Sequence, residues 1–217
     1  MGIKSADLNS VHFAELVDAL RDADDMGVLL RGHLWIEALL EYVTRTKLER
    51  PDAIDWGNAR FEHKLALAEA TAAVDVPLVR AIRSFNRLRN KSAHEMLFTI
   101  ELDQVKTLVG LTDESMKASI HRIADEQLEV VRQLEKYEAE GVEVDIAPEV
   151  LPYLRVLTPT RTLLFAFVVC AVRSLAFDGA LEVAFDSEER EPKSIFRRID
   201  AEMERLTGGL FRYQPGQ

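Results

Sequence analysis

The chain has 217 residues, of which 47% are hydrophobic and 29% are charged, and its formal net charge is −10 with a pI near 5.1. This length and apolar content suffice for one domain, or one domain with an appendage, while the acidic balance excludes a protein that coats nucleic acid non-specifically. The single cysteine, Cys170, excludes a disulfide framework and a thiolate metal cluster.

Neither the N-terminal residues nor the most apolar run predicts a membrane segment. The first ten residues, MGIKSADLNS, lack the apolar core of a signal peptide. The most apolar run, Leu163–Val172, has about half of the ~20 residues that a membrane span needs. We therefore expect a cytoplasmic protein with no membrane association, in which this run is core or, as a second interpretation, a subunit interface.

Apolar periodicity predicts an all-α protein, a helical bundle of four to five core helices followed by C-terminal helices. The predicted helices span residues 10–22, 26–47, 58–74, 77–95, 99–109, 113–140, 160–177 and 193–206. The link between the third and fourth helices is short, so these two are expected to be antiparallel neighbours. We expect residues 1–141 to form the bundle and residues 142–217 to form a C-terminal extension packed on it.

The second helix combines an apolar stripe with a polar pair. The stripe, predicted to face the core, comprises Leu30, Leu34, Ala38 and Val43, widened by Leu29, Trp35, Ile36, Leu39 and Leu40. His33 and Glu37 are four residues apart and therefore neighbours on the helix surface. A metal-ligand pair or a proton relay would need a third partner, so we interpret the two as structural support and expect no metal.

The fourth helix, PLVRAIRSFNRLRNKSAHE from Pro77 to Glu95, carries the candidate site. Its cations form a local positive field and comprise Arg80, Arg83, Arg87, Arg89 and Lys91. The segment closes with Arg89, Asn90 and, four residues further on, His94. Such a pair suffices to cleave RNA without a metal, because histidine can move the 2′-hydroxyl or leaving-group proton and arginine can hold the non-bridging phosphate oxygens.

The helical geometry raises an objection to this pair. On an uninterrupted helix Arg89 and His94 point about 140° apart, whereas Asn90 and His94 share a face. Three solutions are open: the helix loosens before His94, the arginine reaches around, or a second subunit completes the site. A dimer would also supply the second pair that a two-proton reaction requires.

The hexapeptide RNKSAH resembles the R-x4-6-H signature of HEPN domains, including a polar residue directly after the arginine. The preceding layout is similar too: a long helix with LRGHLWIEALLE, a loop, ARFEHKLALAEA and then the helix with the motif. Within that superfamily the chain looks most like relatives of the mannitol operon repressor, with a similar helix order and an LR-x4-H ending. The resemblance covers about residues 10–140.

The resemblance implies a helical bundle, usually dimeric, that often acts as a metal-independent ribonuclease in toxin–antitoxin or anti-phage systems. Carried over by position, Arg89 would bind the scissile phosphate, Asn90 would orient it, and His94 would act as general base or acid. The expected partners are a second copy, an RNA substrate and an antitoxin or regulatory protein, and no cofactor is expected. Toxins silenced by nucleotidylation carry tyrosine two residues after the histidine; here that residue is Met96, so the resemblance does not extend to that control.

Each of these candidate residues also has a purely structural interpretation. Arg89 could be a buried arginine paired with a carboxylate such as Glu37, and His94 a helix-end histidine. The row formed by Arg80, Arg83 and Arg87 could be a solvated face instead of part of an RNA-binding surface that also includes Lys91. The functional alternatives are a catalytically inactive, mannitol-operon-repressor-like regulator that acts by protein–protein contact, and a helix-turn-helix DNA repressor built on the third and fourth helices, which lack a glycine turn.

Overall fold

The computed structural model describes residues 13–21, 23–95, 98–141, 154, 157–185 and 201, and within these ranges the chain forms seven helices and no strand. The helices are α1 (Phe13–Arg21), α2 (Asp25–Thr46), α3 (Phe61–Ala70), α4 (Val76–His94), α5 (Leu102–Gly110), α6 (Glu114–Ala139) and α7 (Pro159–Phe185). The predicted all-α bundle is therefore confirmed. The predicted cap at Ser10 and the predicted helix 193–206 lie outside the described residues.

Local signals explain where α2 and α6 begin and where α6 ends. The Asp24 carboxylate accepts the Gly27 N–H at the start of α2 (2.6 Å), and Asp113 accepts the Met116 N–H at the start of α6 (2.9 Å). Gly141, with a φ of 68°, follows the end of α6 as a left-handed C-terminal residue. These ends fall close to the predicted ones.

The third helix is shorter than the predicted 58–74, because it ends in a turn that its sequence does not announce. Ala72 takes a left-handed φ of 51°. The N–H of Ala73 donates to the carbonyl of Ala68 (2.9 Å) and that of Ala72 to the carbonyl of Glu69 (3.2 Å). This is the hydrogen-bond pattern that usually ends on glycine, here formed by alanine.

The most apolar helix, α7, lies at the centre of the bundle and packs against α2, α5 and α6. The segment Pro159–Gly179 is long and apolar enough to cross a membrane, but 78% of its apolar window is buried inside the fold. The helix is thus mostly enclosed by the fold, and the prediction that Leu163–Val172 is core is confirmed. The boundary predicted at residue 141 stays a prediction, although α7 shares one core with α2 and α4.

The predicted apolar face of α2 is buried at Leu29, Ile36, Leu39, Leu40 and Val43, but the prediction is wrong at two positions. Leu30 and Leu34 are 41% and 48% exposed, whereas the buried face of α2 includes Leu29, Gly32 and Ile36. The cause is the close approach of α7 at Gly32, where an added Cβ would lie 2.6 Å from Cγ2 of Val168. Because Gly32 has no side chain, this side of α2 packs closely against α7, and Leu30 and Leu34 on the opposite side of the helix face solvent.

Candidate functional site

The apolar face of α4 fixes the direction of its polar residues. Its buried residues include Leu78, Ile82, Phe85 and Leu88, and the ring of Phe85 lies 5.5 Å from that of Phe167 in α7. This packing orients the opposite face of α4 toward solvent. Three exposed cations, Arg80, Arg87 and Lys91, fall within an arc of about 40° on that face.

The helix runs without a break through the Arg–His motif. The helix α4 ends at His94, and the Glu95 N–H donates to the carbonyl of Lys91 (3.2 Å) to close its last turn. The possibility that the helix loosens before His94 is therefore wrong. An arginine that reaches around the helix and a site completed by a second subunit remain.

Arg89 starts on the core side of α4 but turns its guanidinium toward its neighbour. Nη1 of Arg89 donates to Oδ1 of Asn90 over 3.0 Å. Asn90 and His94 are both exposed and lie about 40° apart around the helix. The hydrogen bond thus holds the guanidinium beside the face that carries His94.

The suggested pairing of Arg89 with Glu37 is wrong, because Glu37 has another partner. Nζ of Lys64 lies 3.0 Å from Oε1 of Glu37 and 2.9 Å from Oε2 of Glu41. Lys64 is buried; burial alone would lower its pKa, but the hydrogen bonds to Glu41 and Glu37 outweigh this and raise it. Lys64 therefore stays charged and links α3 to α2.

His33 belongs to a second buried connection, between α2 and α4. Its Nε2 lies 2.9 Å from Oδ1 of Asn86, whose Nδ2 donates to Oε1 of Glu62 over 2.7 Å. The ring lies 4.4 Å from that of Phe61. Burial lowers the pKa of His33, the Asn86 hydrogen bond opposes this, and the nearby charge of Arg89 lowers it further. The neutral ring donates through Nε2 and sits beneath Arg89.

His33 and Glu37, predicted as supporting residues, thus support the bundle from within. They are adjacent, with Nδ1 of His33 at 3.9 Å from Oε2 of Glu37, yet each has its main partner on a different helix. Across the described ranges no group of three or more His, Cys, Asp or Glu side chains is placed to hold a metal ion. The sequence did not indicate Lys64 or Asn86, although a lysine or asparagine within an apolar helix face is a usable signal.

The cations of α4 differ in whether they form ion pairs. Arg83 is held by Glu69 (2.7 Å) and Glu62 (3.9 Å). Within the part of the chain that the structure describes, Arg80 and Arg87 form no ion pair and are exposed. Lys91 places Nζ 5.3 Å from the ring centroid of Phe98. Of the four predicted RNA-binding residues, Arg80, Arg87 and Lys91 can therefore contact a phosphate, whereas Arg83 is already bound by two glutamates.

A groove of about 360 Å³ opens beside His94, and the sequence did not predict it. It lies between the start of α2 and the end of α4 and is lined by Met26, Leu30, Ser92, Ala93, His94, Glu95 and Phe98. The Phe98 N–H donates to the carbonyl of Glu95 (3.2 Å), which brings the Phe98 ring back to the end of the helix. Phe98 thus adds an aromatic residue to a groove lined by residues of two helices.

No family model, curated protein or solved structure matches the chain.

Proposed function

We propose that the protein is a HEPN-like, metal-independent endoribonuclease that acts on RNA in the cytoplasm as a homodimer. The observation that carries this proposal is the hydrogen bond of 3.0 Å that turns the Arg89 guanidinium toward Asn90, on the face of His94. The exposed row of Arg80, Arg87 and Lys91 supports it, because cations without ion-pair partners can follow a phosphate backbone.

The reaction needs two proton transfers at one phosphate. A base takes the proton of the 2′-hydroxyl, the 2′-oxygen bonds to phosphorus, and the bond from phosphorus to the 5′-oxygen breaks as an acid protonates that oxygen. The products are a 2′,3′-cyclic phosphate and a 5′-hydroxyl end. Arg89 would bind the non-bridging oxygens with parallel hydrogen bonds, Asn90 would hold that guanidinium, and His94 would transfer one proton.

A second copy of the chain would supply the other proton carrier. His94 is exposed at the end of a helix, so two such ends can face each other across one RNA strand. The cellular setting that we propose is a toxin–antitoxin or anti-phage system, in which a partner protein controls the nuclease.

The test is cleavage of single-stranded RNA by the purified protein in excess EDTA. We expect 2′,3′-cyclic phosphate ends with the wild type and a rate about 10²–10⁴-fold lower in His94→Ala, the usual contribution of a general acid or base. The matched control is His121→Ala, which removes an exposed histidine from α6 and should cleave at the wild-type rate. Cleavage by His94→Ala at the rate of His121→Ala would contradict the proposal.

A second candidate function is a catalytically silent, mannitol-operon-repressor-like regulator that works by protein–protein contact. The exposed leucines of α2, Leu30 and Leu34 at 41% and 48%, favour it because they form an apolar surface on an acidic protein. This function predicts a protein partner whose binding is lost in Leu34→Glu and unchanged in His94→Ala, together with no RNA cleavage under any condition.

A further inference from the structure

The groove beside His94 has a mixed lining that suits a planar ligand with N–H donors. The lining includes the apolar residues Met26 and Leu30 and the aromatic residue Phe98. Glu95 adds a carboxylate, which when ionised only accepts hydrogen bonds. The volume of about 360 Å³ falls within the range of about 300–1,000 Å³ that holds small molecules.

Charge decides which part of an RNA strand can enter. Glu95 would repel a phosphate, so the groove itself does not take the backbone. Lys91, whose Nζ lies 5.3 Å from the Phe98 ring, stands next to the groove and can meet a phosphate outside it. Arg87 lies about 40° from Lys91 around α4 and extends this basic track. The backbone is thus directed along α4, while a base can turn inward beside His94.

We propose that this groove is a nucleobase subsite that binds one unpaired guanine next to the phosphate held by Arg89 and His94. Unpaired bases in RNA are commonly stacked on aromatic side chains and hydrogen-bonded along their Watson–Crick edges. Guanine is the base whose Watson–Crick edge presents two adjacent donors, N1–H and N2–H, to the two oxygens of a carboxylate such as Glu95. Phe98 stacks on the base, and Met26 and Leu30 cover its other side.

This inference rests on the proposed function, but its test does not require cleavage. The probe is a fluorescent 2′-O-methyl-uridine pentamer, which lacks the nucleophile, compared with the same pentamer carrying one central 2′-O-methyl-guanosine. Anisotropy titration should show about tenfold tighter binding of the guanosine pentamer, as one well-placed pair of hydrogen bonds discriminates by about 1–3 kcal/mol.

Two variants and a control connect this preference to the groove. Glu95→Gln removes one charge and should bring the guanosine-to-uridine affinity ratio close to one, whatever its effect on overall affinity. Phe98→Leu should weaken binding of the guanosine pentamer by about tenfold through lost stacking. Glu135→Gln removes an exposed carboxylate from α6 and should keep the wild-type ratio.

The outcomes separate the two proposals. Equal affinity for both pentamers, or an unchanged ratio in Glu95→Gln, would overturn the subsite even if the protein cleaves RNA. A guanosine preference lost in Glu95→Gln, in a protein that never cleaves RNA, would support the subsite and contradict the nuclease. Absence of RNA binding, with a dimer that dissociates in Leu30→Glu, would overturn the subsite and assign the groove to a second copy of the chain.

Discussion

His33 is a buried histidine whose surroundings favour the neutral ring. It donates to Asn86 on α4, Phe61 on α3 covers it, and two charged groups face it: Glu37 on its own helix, itself bound by Lys64, and Arg89 on α4. Protonation would place a second positive charge beside the guanidinium of the candidate site. The charge of Arg89 therefore opposes protonation of His33.

We expect this histidine to make stability depend on pH. Its folded pKa lies below the usual 6.5, so the unfolded chain binds a proton at a pH where the folded chain does not. The free energy of unfolding should therefore fall as the pH drops below about 6.5, with a slope of up to about 1.4 kcal/mol per pH unit. Urea unfolding followed by circular dichroism from about pH 7 to about pH 5 measures this slope.

The substitution that isolates this contribution is His33→Gln, which keeps an amide donor for Asn86 and cannot titrate. We expect a flatter pH profile than that of the wild type, while His121→Gln, at an exposed position on α6, should keep the wild-type slope. An identical slope in wild type and His33→Gln would show that His33 titrates alike in the folded and unfolded chains.

Lys64 binds two carboxylates at once and holds α3 against α2. In Lys64→Met, Glu37 would lose its lysine partner and Glu41 would keep only Arg45, at 3.4 Å, while their side chains are only 27% and 14% exposed. Loss of one partner of a buried ion pair costs about 3–5 kcal/mol, and we expect about 3 kcal/mol here because Glu37 keeps some contact with water. The measurement is the free energy of urea unfolding.

A triple variant separates charge from packing at this position. In Lys64→Met combined with Glu37→Gln and Glu41→Gln no charge remains unpaired, so most of the lost stability should return. A triple variant as unstable as Lys64→Met alone would mean that unpaired carboxylate charge is not the source of the lost stability.

At the scale of elements, the crossing of α2 and α7 decides which face of α2 becomes core. We expect Gly32→Ala to lower the free energy of unfolding by about 1–3 kcal/mol, because its Cβ would lie 2.6 Å and 2.9 Å from the two methyl groups of Val168. The control is Gly110→Ala at the end of α5, where nothing lies within 4 Å of the added Cβ and stability should not fall.

A double-mutant cycle tests whether the stability loss in Gly32→Ala arises where α2 crosses α7. In a Val168→Ala background the methyl groups that obstruct the new Cβ are gone, so Gly32→Ala should cost clearly less than in the wild type. An equal cost in both backgrounds would place the strain elsewhere on α2.

The same crossing shows what sequence periodicity can and cannot predict. Periodicity predicted the extents of α2, α4 and α6 well, since caps such as Asp24 and Asp113 mark their starts. Periodicity placed Leu30 and Leu34 in the core because it considers only hydrophobicity. The contact of Gly32 with Val168 involves a helix more than a hundred residues further along the chain, which periodicity does not detect. The end of α3 was missed because Ala72 replaces the glycine that signals such turns.

The candidate site, like the fold, could be predicted from the sequence only in part. The exposed positions of Asn90 and His94 follow from helical spacing alone. The turn of the Arg89 guanidinium toward Asn90 and the contact of Phe98 with the end of α4 depend on side-chain conformation and chain reversal, which spacing does not encode.

At the scale of the whole molecule, charge is divided between helices. α6 carries a run of exposed acids, among them Glu126, Glu129, Glu135 and Glu138, and packs on α5 and α7. α4 packs on α2, α3 and α5 and carries the exposed Arg80, Arg87 and Lys91, whereas the exposed cations of α6, Arg122, Arg132 and Lys136, lie beside neighbouring glutamates. An acidic protein can therefore present one basic face, which would confine RNA to that face and disfavour non-specific coating.

The central claim, that Arg89 and His94 act together on one RNA phosphate, is tested most directly by a double-mutant cycle on RNA cleavage in EDTA. Arg89→Lys keeps the charge but loses the paired hydrogen bonds, and His94→Ala loses the proton carrier. Residues that act as one unit give non-additive losses, so we predict that the double variant cleaves no more slowly than the slower single variant. Wild-type rates in both folded single variants, or losses that multiply in the double variant, would contradict the account.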